Sequence, residues 1–399
     1  NRYAGEAYFC RACKYAELIF FYGDVPYQEE TITISEALQR GRRPKAEVIP
    51  LVYADFDKAI AGLPESYGKD ENIHPTKGAA LAMKARFALY MGDYEIAAQA
   101  AKACMDLKLY SLEPDYAKLF KQSTKLNDEK VFVIPRSIEN EVMLDSWIVK
   151  NGLPRNAGGY GSYNPSWDLL ASYLCTDGLP IDESPLFDPR KPFKNRDPRC
   201  TMTIVEFNTE HCGFEYDPSP AAKTVMNYTT GKTQSNQDTR IVNQYSSYTG
   251  LLWKKGIDAT WTVDQKVEQD YIIMRYADVL LIYAEALNEL TSGQVYHLTT
   301  YTGADVEIQR NVDEMRYAIK RIRMRAGVPD YTDETYNNPN DFRVKLKRER
   351  QIELLGENSM RYFDLRRWKD AMTEENQLLQ GCNINISDDE KRVADFYKP

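Results

Sequence analysis

Hydrophobic residues recur at helical spacing near both ends of the 399-residue chain and lose that spacing in the middle. In the first stretch, Phe9, Cys13, Ala16 and Phe20 repeat every three or four residues, which places them on one face of a helix. The helix is predicted to end at 23–26 ("GDVP"), because glycine often follows a helix C-terminus and proline cannot continue it. We therefore expect a buried apolar stripe along this helix.

Further helical stretches follow in pairs. The second is expected to start after Pro50, and the Ala-rich stretch 77–110 predicts two antiparallel helices joined by a short turn at Gly92. The order of small and apolar residues in that stretch is similar to part of a tetratricopeptide repeat, whose unit is a stacked helix pair. The second stretch is 46–62, and the later ones are 270–290, 311–327, 341–356 and 359–372.

The chain is expected to form one mainly α-helical domain with a long loop-rich insert. Pro, Gly, Asn and Tyr are frequent in this insert, and only short strands are predicted there, at 130–134 and 200–205. Loops of this length within a helical scaffold are usually functional or disordered, and the aromatic residues within this insert favour function. The predicted parts of the single domain 1–399 are two helix pairs in 1–110, the insert in 111–269, two helix pairs in 270–372 and a C-terminal tail in 373–399.

Composition and charge exclude several classes of protein. A net charge of −8 disfavours a general binder of nucleic acid or anionic membranes. The three histidines lie far apart, so neither a zinc site nor any other cofactor is predicted. Cys10 and Cys13 lie within an apolar helical stretch and are expected to be buried core residues. No stretch reaches the roughly 20 apolar residues of a membrane helix, and the chain opens in mid-helix, so we expect a preceding segment to be missing.

Four segments in this order resemble the SusD/RagB-type family of outer-membrane nutrient-binding lipoproteins. They are "GEAYFCRACKYAELIFFYGDVPY" (5–27), "RYADVLLIYAEALNE" (275–289), "IKRIRMRAGVP" (319–329) and "KRERQIELLGENSMRYFDLRRW" (347–368). The resemblance implies four tetratricopeptide-like helix pairs and a loop-rich ligand-binding region without catalytic activity. It also implies a lipid anchor on the outer face of the outer membrane, and capture of oligosaccharide, or in some members peptide, for a SusC-like TonB-dependent transporter. The lipid-bearing cysteine and the family's leading segment are absent from the sequence, as is its usual C-terminal tail.

Aromatic residues in the insert are the candidate ligand contacts. Tyrosine is abundant, with 28 copies, and an aromatic face stacks on the apolar face of a sugar ring while amides and arginine bind its hydroxyls. The region 147–163 is the first choice, because starch-binding relatives present an aromatic residue in this part of the chain. The candidate ligand-binding residues are Trp147, Arg155, Asn156, Tyr160, Tyr163, Tyr216, Tyr228, Asn243, Tyr245, Tyr248 and Trp261.

Two glutamates raise the alternative of glycoside hydrolysis. Glu349 and Glu353 are four residues apart on a predicted helix, and such enzymes use two nearby carboxyl groups. A catalytic acid needs a raised pKa, whereas neighbouring arginines would lower the pKa of these glutamates. Structural ion pairs are therefore favoured. Glu349 or Glu353 is expected to pair across the turn at Gly356 with Arg361, Arg366 or Arg367, and Glu285 with Arg321, Arg323 or Arg325. A scaffold that binds peptides through helix grooves is another alternative.

Overall fold

A computed structural model describes residues 1–68, 73–125 and 127–377. It is mainly helical with small sheets, which confirms the predicted fold class. The longer helices are α1 (Arg2–Tyr22), α3 (Lys45–Gly62), α4 (Lys77–Met91), α5 (Tyr94–Asp106), α10 (Tyr276–Glu289), α11 (Val312–Ala326), α13 (Pro339–Glu353) and α14 (Met360–Trp368). The shorter ones are α2 (Ile34–Gln39), α6 (Tyr116–Leu119), α7 (Ser146–Gly152), α8 (Trp167–Ser172), α9 (Arg199–Thr203), α12 (Asp333–Asn337) and α15 (Ala371–Glu374).

The long helices pack as neighbours in the chain order that the sequence predicts. Helix α1 packs on α3, α4 on α5, and α10 on α11, while α10 also contacts α5 and α13 and so lies at the centre. The α4–α5 turn places Gly92 in the left-handed region (φ 87°), and α11 ends in the same way at Gly327 (φ 78°). In α10 every residue from Tyr276 to Asn288 is buried, as expected for a central helix.

In the part of the chain that the structure describes, the strands form three small antiparallel sheets. Strand β1 (Lys130–Ile134), which the sequence predicts, pairs with β6 (Tyr271–Arg275). The insert also contains a four-stranded meander that the sequence reasoning missed, and a hairpin lies between α10 and α11. These strands are β2 (Thr209–His211), β3 (Phe214–Tyr216), β4 (Thr224–Asn227), β5 (Lys232–Ser235), β7 (Val295–Thr299) and β8 (Asp305–Gln309).

Three predicted element boundaries are wrong. Helix α3 begins at Lys45 and contains Pro50, because burial of Val48 extends its apolar face one turn earlier. The stretch predicted as a helix from 270 starts as strand β6, which pairs with β1 before the chain enters α10. The predicted strand 200–205 is instead helix α9 followed by a single bridge between Ile204 and Trp253.

The predicted stripe on α1 is only partly correct. Phe9 is buried, but Cys10 is exposed and Cys13 is half-buried, so the expectation of two core cysteines is wrong. These side chains and Phe20 face a groove of about 450 Å³ that is largely apolar. Its other walls come from α4, the β1–β6 pair and the start of α14. The buried face of α1 is therefore rotated toward Ala12 and Ile19, which pack in the core.

Buried ion pairs join the helices to the insert, with partners that differ from the predicted ones. Glu349 binds Arg199 of α9 at 2.7 Å and Arg323 of α11 at 2.8 Å. Glu353 binds Arg199 at 2.7 Å, Arg275 of β6 at 2.6 Å, and also Arg325. These arginines precede α13 in the chain, and Arg199 lies 154 residues before Glu353.

The arginines after the turn at Gly356 point to other groups. Arg367 binds Glu285 of α10, with both nitrogen–oxygen contacts at or below 2.7 Å, so Glu285 does not pair with Arg321, Arg323 or Arg325 as predicted. Arg361 instead pairs with Glu374, Arg366 donates to the carbonyl of Phe21, and Arg321 donates to the hydroxyl of Tyr317. Helix α14 packs against α4, and its side chains contact Glu285 of α10 and Phe20 of α1.

Candidate functional site

A cleft of about 530 Å³ lies on the insert, between helix α7, the loop that follows it, and a second segment near residue 245. Four aromatic side chains form much of its wall, and Arg155 and two asparagines supply polar groups. We call it the aromatic cleft. Its lining residues are Trp147, Asn151, Arg155, Tyr160, Gly161, Ser162, Asn164, Tyr245 and Tyr248.

Helix α7 positions Trp147 at its first turn. The carboxylate of Asp145 accepts a hydrogen bond from the Trp147 backbone nitrogen at 2.7 Å, which caps the helix. Four residues later, Asn151 lies on the same face and donates from its side chain to the Trp147 carbonyl at 2.8 Å. On the opposite face, Val149 and Leu153 are buried with Ile257 and Trp261, so the helix has one anchored side and one side toward the cleft.

Backbone hydrogen bonds fold the following loop back onto α7. The Tyr160 nitrogen donates to the Lys150 carbonyl at 2.7 Å, and the Ser162 nitrogen to the Asn151 carbonyl at 2.9 Å. Gly159 allows this close approach, because a Cβ there would lie 2.1 Å from the Leu153 carbonyl oxygen. The result is that the rings of Trp147 and Tyr160 lie 5.3 Å apart at an angle of 56°.

The second segment is held to this loop by buried polar side chains. Asp238, only 4% exposed, accepts hydrogen bonds from the backbone nitrogens of Arg155 at 2.7 Å and Asn156 at 3.2 Å. Burial raises the pKa of Asp238, while these hydrogen bonds oppose that rise. Further along, the Tyr248 nitrogen donates to the Asn164 side chain at 3.1 Å. Two segments about eighty residues apart thus share one wall of the cleft.

The aromatic faces of the cleft remain open to solvent. Trp147, Tyr245 and Tyr248 are each 64–65% exposed, although large aromatic residues usually bury most of their surface. Rings held on a fixed backbone lose little conformational entropy on binding, which favours recognition. A shallow surface with several rings and a few amide and guanidinium groups suits a polar ligand with flat apolar faces, such as a sugar.

Five of the eleven predicted ligand residues line this cleft, and the other six do not. Tyr216 and Trp261 are 2% and 6% exposed, so their prediction as ligand contacts is wrong; Tyr216 donates to the Gly250 carbonyl within the core. Asn156 is also buried, and its side chain binds Asp238 and Asn236. Neither residue type nor loop context distinguishes a buried tyrosine from an exposed one, since both occur among Gly, Ser and Asn.

The remaining three predicted residues are accessible or half-buried but lie outside the cleft lining. Tyr228 is exposed in the turn between β4 and β5, and Tyr163 lies behind α7 near Gly152. Asn243 supports the site indirectly, because its side chain accepts a hydrogen bond from the Tyr245 nitrogen at 3.1 Å.

Sequence reasoning missed three polar lining residues and one neighbouring cation. Asn151, Ser162 and Asn164 line the cleft, and the Arg240 guanidinium lies 4.1 Å from the centroid of the Tyr248 ring. The first three stand in or beside the region 147–163 that the sequence singled out. Helical spacing from Trp147 would have identified Asn151, whereas Arg240 carries no such signal.

The glutamates considered for hydrolysis are enclosed. Glu349 and Glu353 are 1% and 0% exposed, and each binds two or more guanidinium groups. Burial alone would raise the pKa of Glu353, but Arg325, Arg275 and Arg199 lower it well below its usual value. A carboxyl group held ionised and away from solvent is unsuited to protonate a leaving group.

Two further features are absent from the described part of the chain. No group of three or more His, Cys, Asp or Glu side chains is arranged to hold a metal ion. Within the same residues, no helix combines the length and the apolar character needed to cross a bilayer.

Comparison with known proteins gives two family matches. The profile of the SusD family matches residues 121–398, and a profile described as starch-binding and associating with the outer membrane matches residues 1–89. SusD-like protein P2 of Formosa agariphila is 28% identical over 311 residues, which are 73% of this chain and 53% of that protein. The chain therefore spans about half the length of this relative.

Solved structures show the same likeness in three dimensions. A SusD-like carbohydrate-binding protein from Bacteroides fragilis superposes with a TM-score of 0.77 at 28% identity, covering 94% of this chain and 69% of that one. A second SusD-like protein from Bacteroides fragilis gives a TM-score of 0.74 at 26% identity, covering 97% and 72%.

Proposed function

Because this chain belongs to the SusD family, we propose that it is a glycan-binding protein and that the aromatic cleft is its binding site. The observation that carries the proposal is the convergence of Trp147, Tyr160, Tyr245 and Tyr248 on one exposed surface. Each ring can stack on the apolar face of a pyranose, and Asn151 and Arg155 stand beside them to bind hydroxyl groups. The volume of about 530 Å³ lies within the range of small-ligand sites.

A tetratricopeptide scaffold for peptides is the alternative of another class. It requires a polar, asparagine-rich groove along the helices and no aromatic cluster in the insert. The groove beside α1 is instead lined mainly by apolar side chains such as Phe9, Phe20 and Met83. The insert carries the aromatic cluster, so glycan binding is the better supported function.

Binding without hydrolysis is part of the proposal. Glu349 and Glu353 have the spacing of a carboxylate pair, but their burial and their arginine partners assign them to the structural ion pairs. The cleft itself is lined, within the described residues, by amide, hydroxyl and guanidinium groups and no carboxylate. These groups bind and orient a sugar and do not supply a proton donor with a raised pKa.

We further propose that the protein acts on the outer face of the outer membrane, held by a lipid anchor, and passes oligosaccharide to a SusC-like TonB-dependent transporter. The support is family membership and the match to a family described as associating with the outer membrane. Co-purification of the full-length protein with a SusC-like transporter from the same organism tests this part. Recovery of the binding protein without any such partner would contradict it.

Affinity electrophoresis in gels containing polysaccharides tests glycan binding. We expect at least one polysaccharide to retard the protein and Trp147→Ala to remove the retardation, since loss of one stacked aromatic residue costs about 0.5–1.5 kcal/mol beyond its lost contact area. The matched control is Tyr228→Ala, which removes an exposed aromatic residue outside the cleft. Retardation that is equal in wild type and Trp147→Ala would contradict the assignment of the cleft.

A further inference from the structure

The cations at the aromatic cleft indicate which kind of glycan it takes. Arg155 lines the cleft and Arg240 lies over the Tyr248 ring at its edge, whereas no Asp or Glu is among the described lining residues. We propose that the cleft binds a glycan bearing anionic groups, either uronate carboxylates or sulfate esters, with Arg155 as the main anion contact. This inference rests on the proposed glycan-binding function.

Arg155 has hydrogen-bond donors available for a ligand. Its guanidinium carbon lies 5.8 Å from the centroid of the Tyr160 ring. Among the residues that the structure describes, its side chain makes no hydrogen bond or ion pair. A guanidinium offers five N–H donors in a planar fork that matches an oxyanion with two parallel hydrogen bonds. Because the side chain is half-buried, such a pair would be less screened than one on an open surface.

The carboxylates close to this loop are occupied by backbone amides. Asp238 accepts from the nitrogens of Arg155 and Asn156, and it is buried behind the loop. Asp145 accepts from the Trp147 nitrogen as the cap of α7. The Arg155 guanidinium helps to lower the pKa of Asp238 but makes no hydrogen bond or ion pair with either carboxylate among the described residues, so its N–H donors are available to an anion from solution.

Arg240 adds a second positive charge beside Tyr248, in the second segment. It is exposed, and its guanidinium carbon lies 4.1 Å from the Tyr248 ring centroid, close enough for a cation–π contact. The Tyr248 ring provides no acceptor for the N–H groups that lie in the plane of the Arg240 guanidinium. These N–H groups can therefore donate to an anionic substituent. A sugar stacked on Tyr248 would therefore carry its charged groups beside a fixed guanidinium.

Asp238, buried behind the loop, offsets part of the Arg155 charge, whereas distant acidic groups act only weakly at the cleft. Of the formal charge of −8, only groups within about 8 Å act strongly at physiological ionic strength, because salt screens the rest. Local cations on an acidic protein also favour specific anions over general polyanion binding, since sequence-independent affinity needs a clustered excess of Lys and Arg.

Matched pairs of oligosaccharides test the inference by isothermal titration calorimetry. One pair is oligogalacturonate and its carboxyl-reduced form, and the other is a sulfated galactan oligosaccharide and its desulfated form. We expect the charged member of one pair to bind at least about tenfold more tightly than its neutral counterpart, the factor that one charge-assisted hydrogen bond gives. Which pair shows the difference identifies the anion. The difference should shrink as salt is raised from about 0.05 M to 0.5 M.

Substitutions then locate the preference. Arg155→Gln should reduce the preference for the charged oligosaccharide to about twofold or less. Arg155→Lys keeps the positive charge but loses the planar fork of N–H donors, so part of the preference should remain. Arg42→Gln is the control, because it removes an exposed positive charge outside the cleft. Thermal unfolding of each variant confirms that it is folded.

Three results would overturn the inference. Neutral forms that bind as tightly as the charged forms, with binding lost in Trp147→Ala, would leave glycan binding in place and remove the anion preference. A preference that persists in folded Arg155→Gln would remove Arg155 as the anion contact. If neither charged probe binds, the inference also fails, and glycan binding is decided separately by the polysaccharide gels.

Discussion

Arg199 and Arg155 lie in contrasting environments, and the difference decides what each residue does. Arg199 is fully buried and binds Asp197, Glu349 and Glu353, each at 2.7 Å. Arg155 is half-buried in the aromatic cleft, with a ring beside it and no carboxylate partner among the described residues. The first holds the fold together, and the second is available to a ligand.

Removing one member of the buried network should be strongly destabilising. Glu353→Gln leaves the guanidinium groups of Arg199, Arg275 and Arg325 without part of their counter-charge in a dry interior. We expect the free energy of unfolding in urea to fall by about 3–5 kcal/mol. Glu47→Gln, which breaks an exposed pair with Arg43 at 3.0 Å, should cost no more than about 1 kcal/mol. Equal effects of the two substitutions would contradict a structural role for Glu353.

The same network predicts acid sensitivity. In the folded protein, burial works to raise the pKa values of Glu349 and Glu353, but their arginine partners lower both below the ordinary value of 4.5. The unfolded chain therefore binds protons first as pH falls, so the stabilisation is complete above pH 4.5 and is lost progressively below it. Urea unfolding at several pH values should show this loss in wild type and a smaller loss in Glu353→Gln. An identical pH dependence in both would contradict it.

Local sequence could not supply the partners of these glutamates. The expectation that Glu349 and Glu353 bind arginines across the turn at Gly356 rests on nearness in the chain. The true partners come from β6, α9 and α11, and only tertiary packing brings them to α13. That the glutamates are paired was predictable, since buried carboxylates require compensation.

At the scale of elements, α7 and its return loop make the cleft. The loop places Tyr160 beside Trp147 through backbone hydrogen bonds to Lys150 and Asn151. Long periodic helices such as α10 and α11 were predictable from their apolar spacing. Strands of three to five residues were harder, although β7 and β8 carry alternation, with Tyr296 opposite Ile308 in register.

Gly159→Ala tests whether the return loop positions the cleft. A Cβ at this residue would lie 2.1 Å from the Leu153 carbonyl oxygen, so the loop must move away from α7 and take Tyr160 with it. We expect the glycan affinity of the protein to fall about tenfold or more, as for a displaced stacking residue, while the helical circular dichroism stays unchanged. The control Gly41→Ala adds a methyl group where no atom lies within 4 Å. Unchanged affinity in Gly159→Ala would contradict this role.

The whole molecule is a helical scaffold that presents an insert. Helices α4, α5, α10 and α11 form much of one continuous core, while the cleft residues stand on short elements packed around smaller clusters. The fold class was predictable because four family segments occur in order along the chain. The cleft was predictable only in part, because 147–164 and 245–248 are distant in sequence and are joined by buried Asp238 and half-buried Asn164.

Binding without turnover is the expectation for the whole protein. Incubation with any polysaccharide that it binds should release no reducing ends, because the carboxylate pair Glu349 and Glu353 is sealed by arginines. Chromatography of the products over many hours provides the measurement. Release of oligosaccharides that disappears in Glu349→Gln or Glu353→Gln would contradict a binding role.

A crystal structure with a bound oligosaccharide tests most clearly whether the aromatic cleft holds the glycan. The oligosaccharide is a fragment of the polysaccharide that retards the protein in affinity electrophoresis. Sugar rings should stack on Trp147 or Tyr160 and on Tyr245 or Tyr248, with Arg155 in hydrogen-bond contact. An oligosaccharide bound along the helices or in the groove beside α1, with the cleft empty, would contradict glycan binding in the cleft.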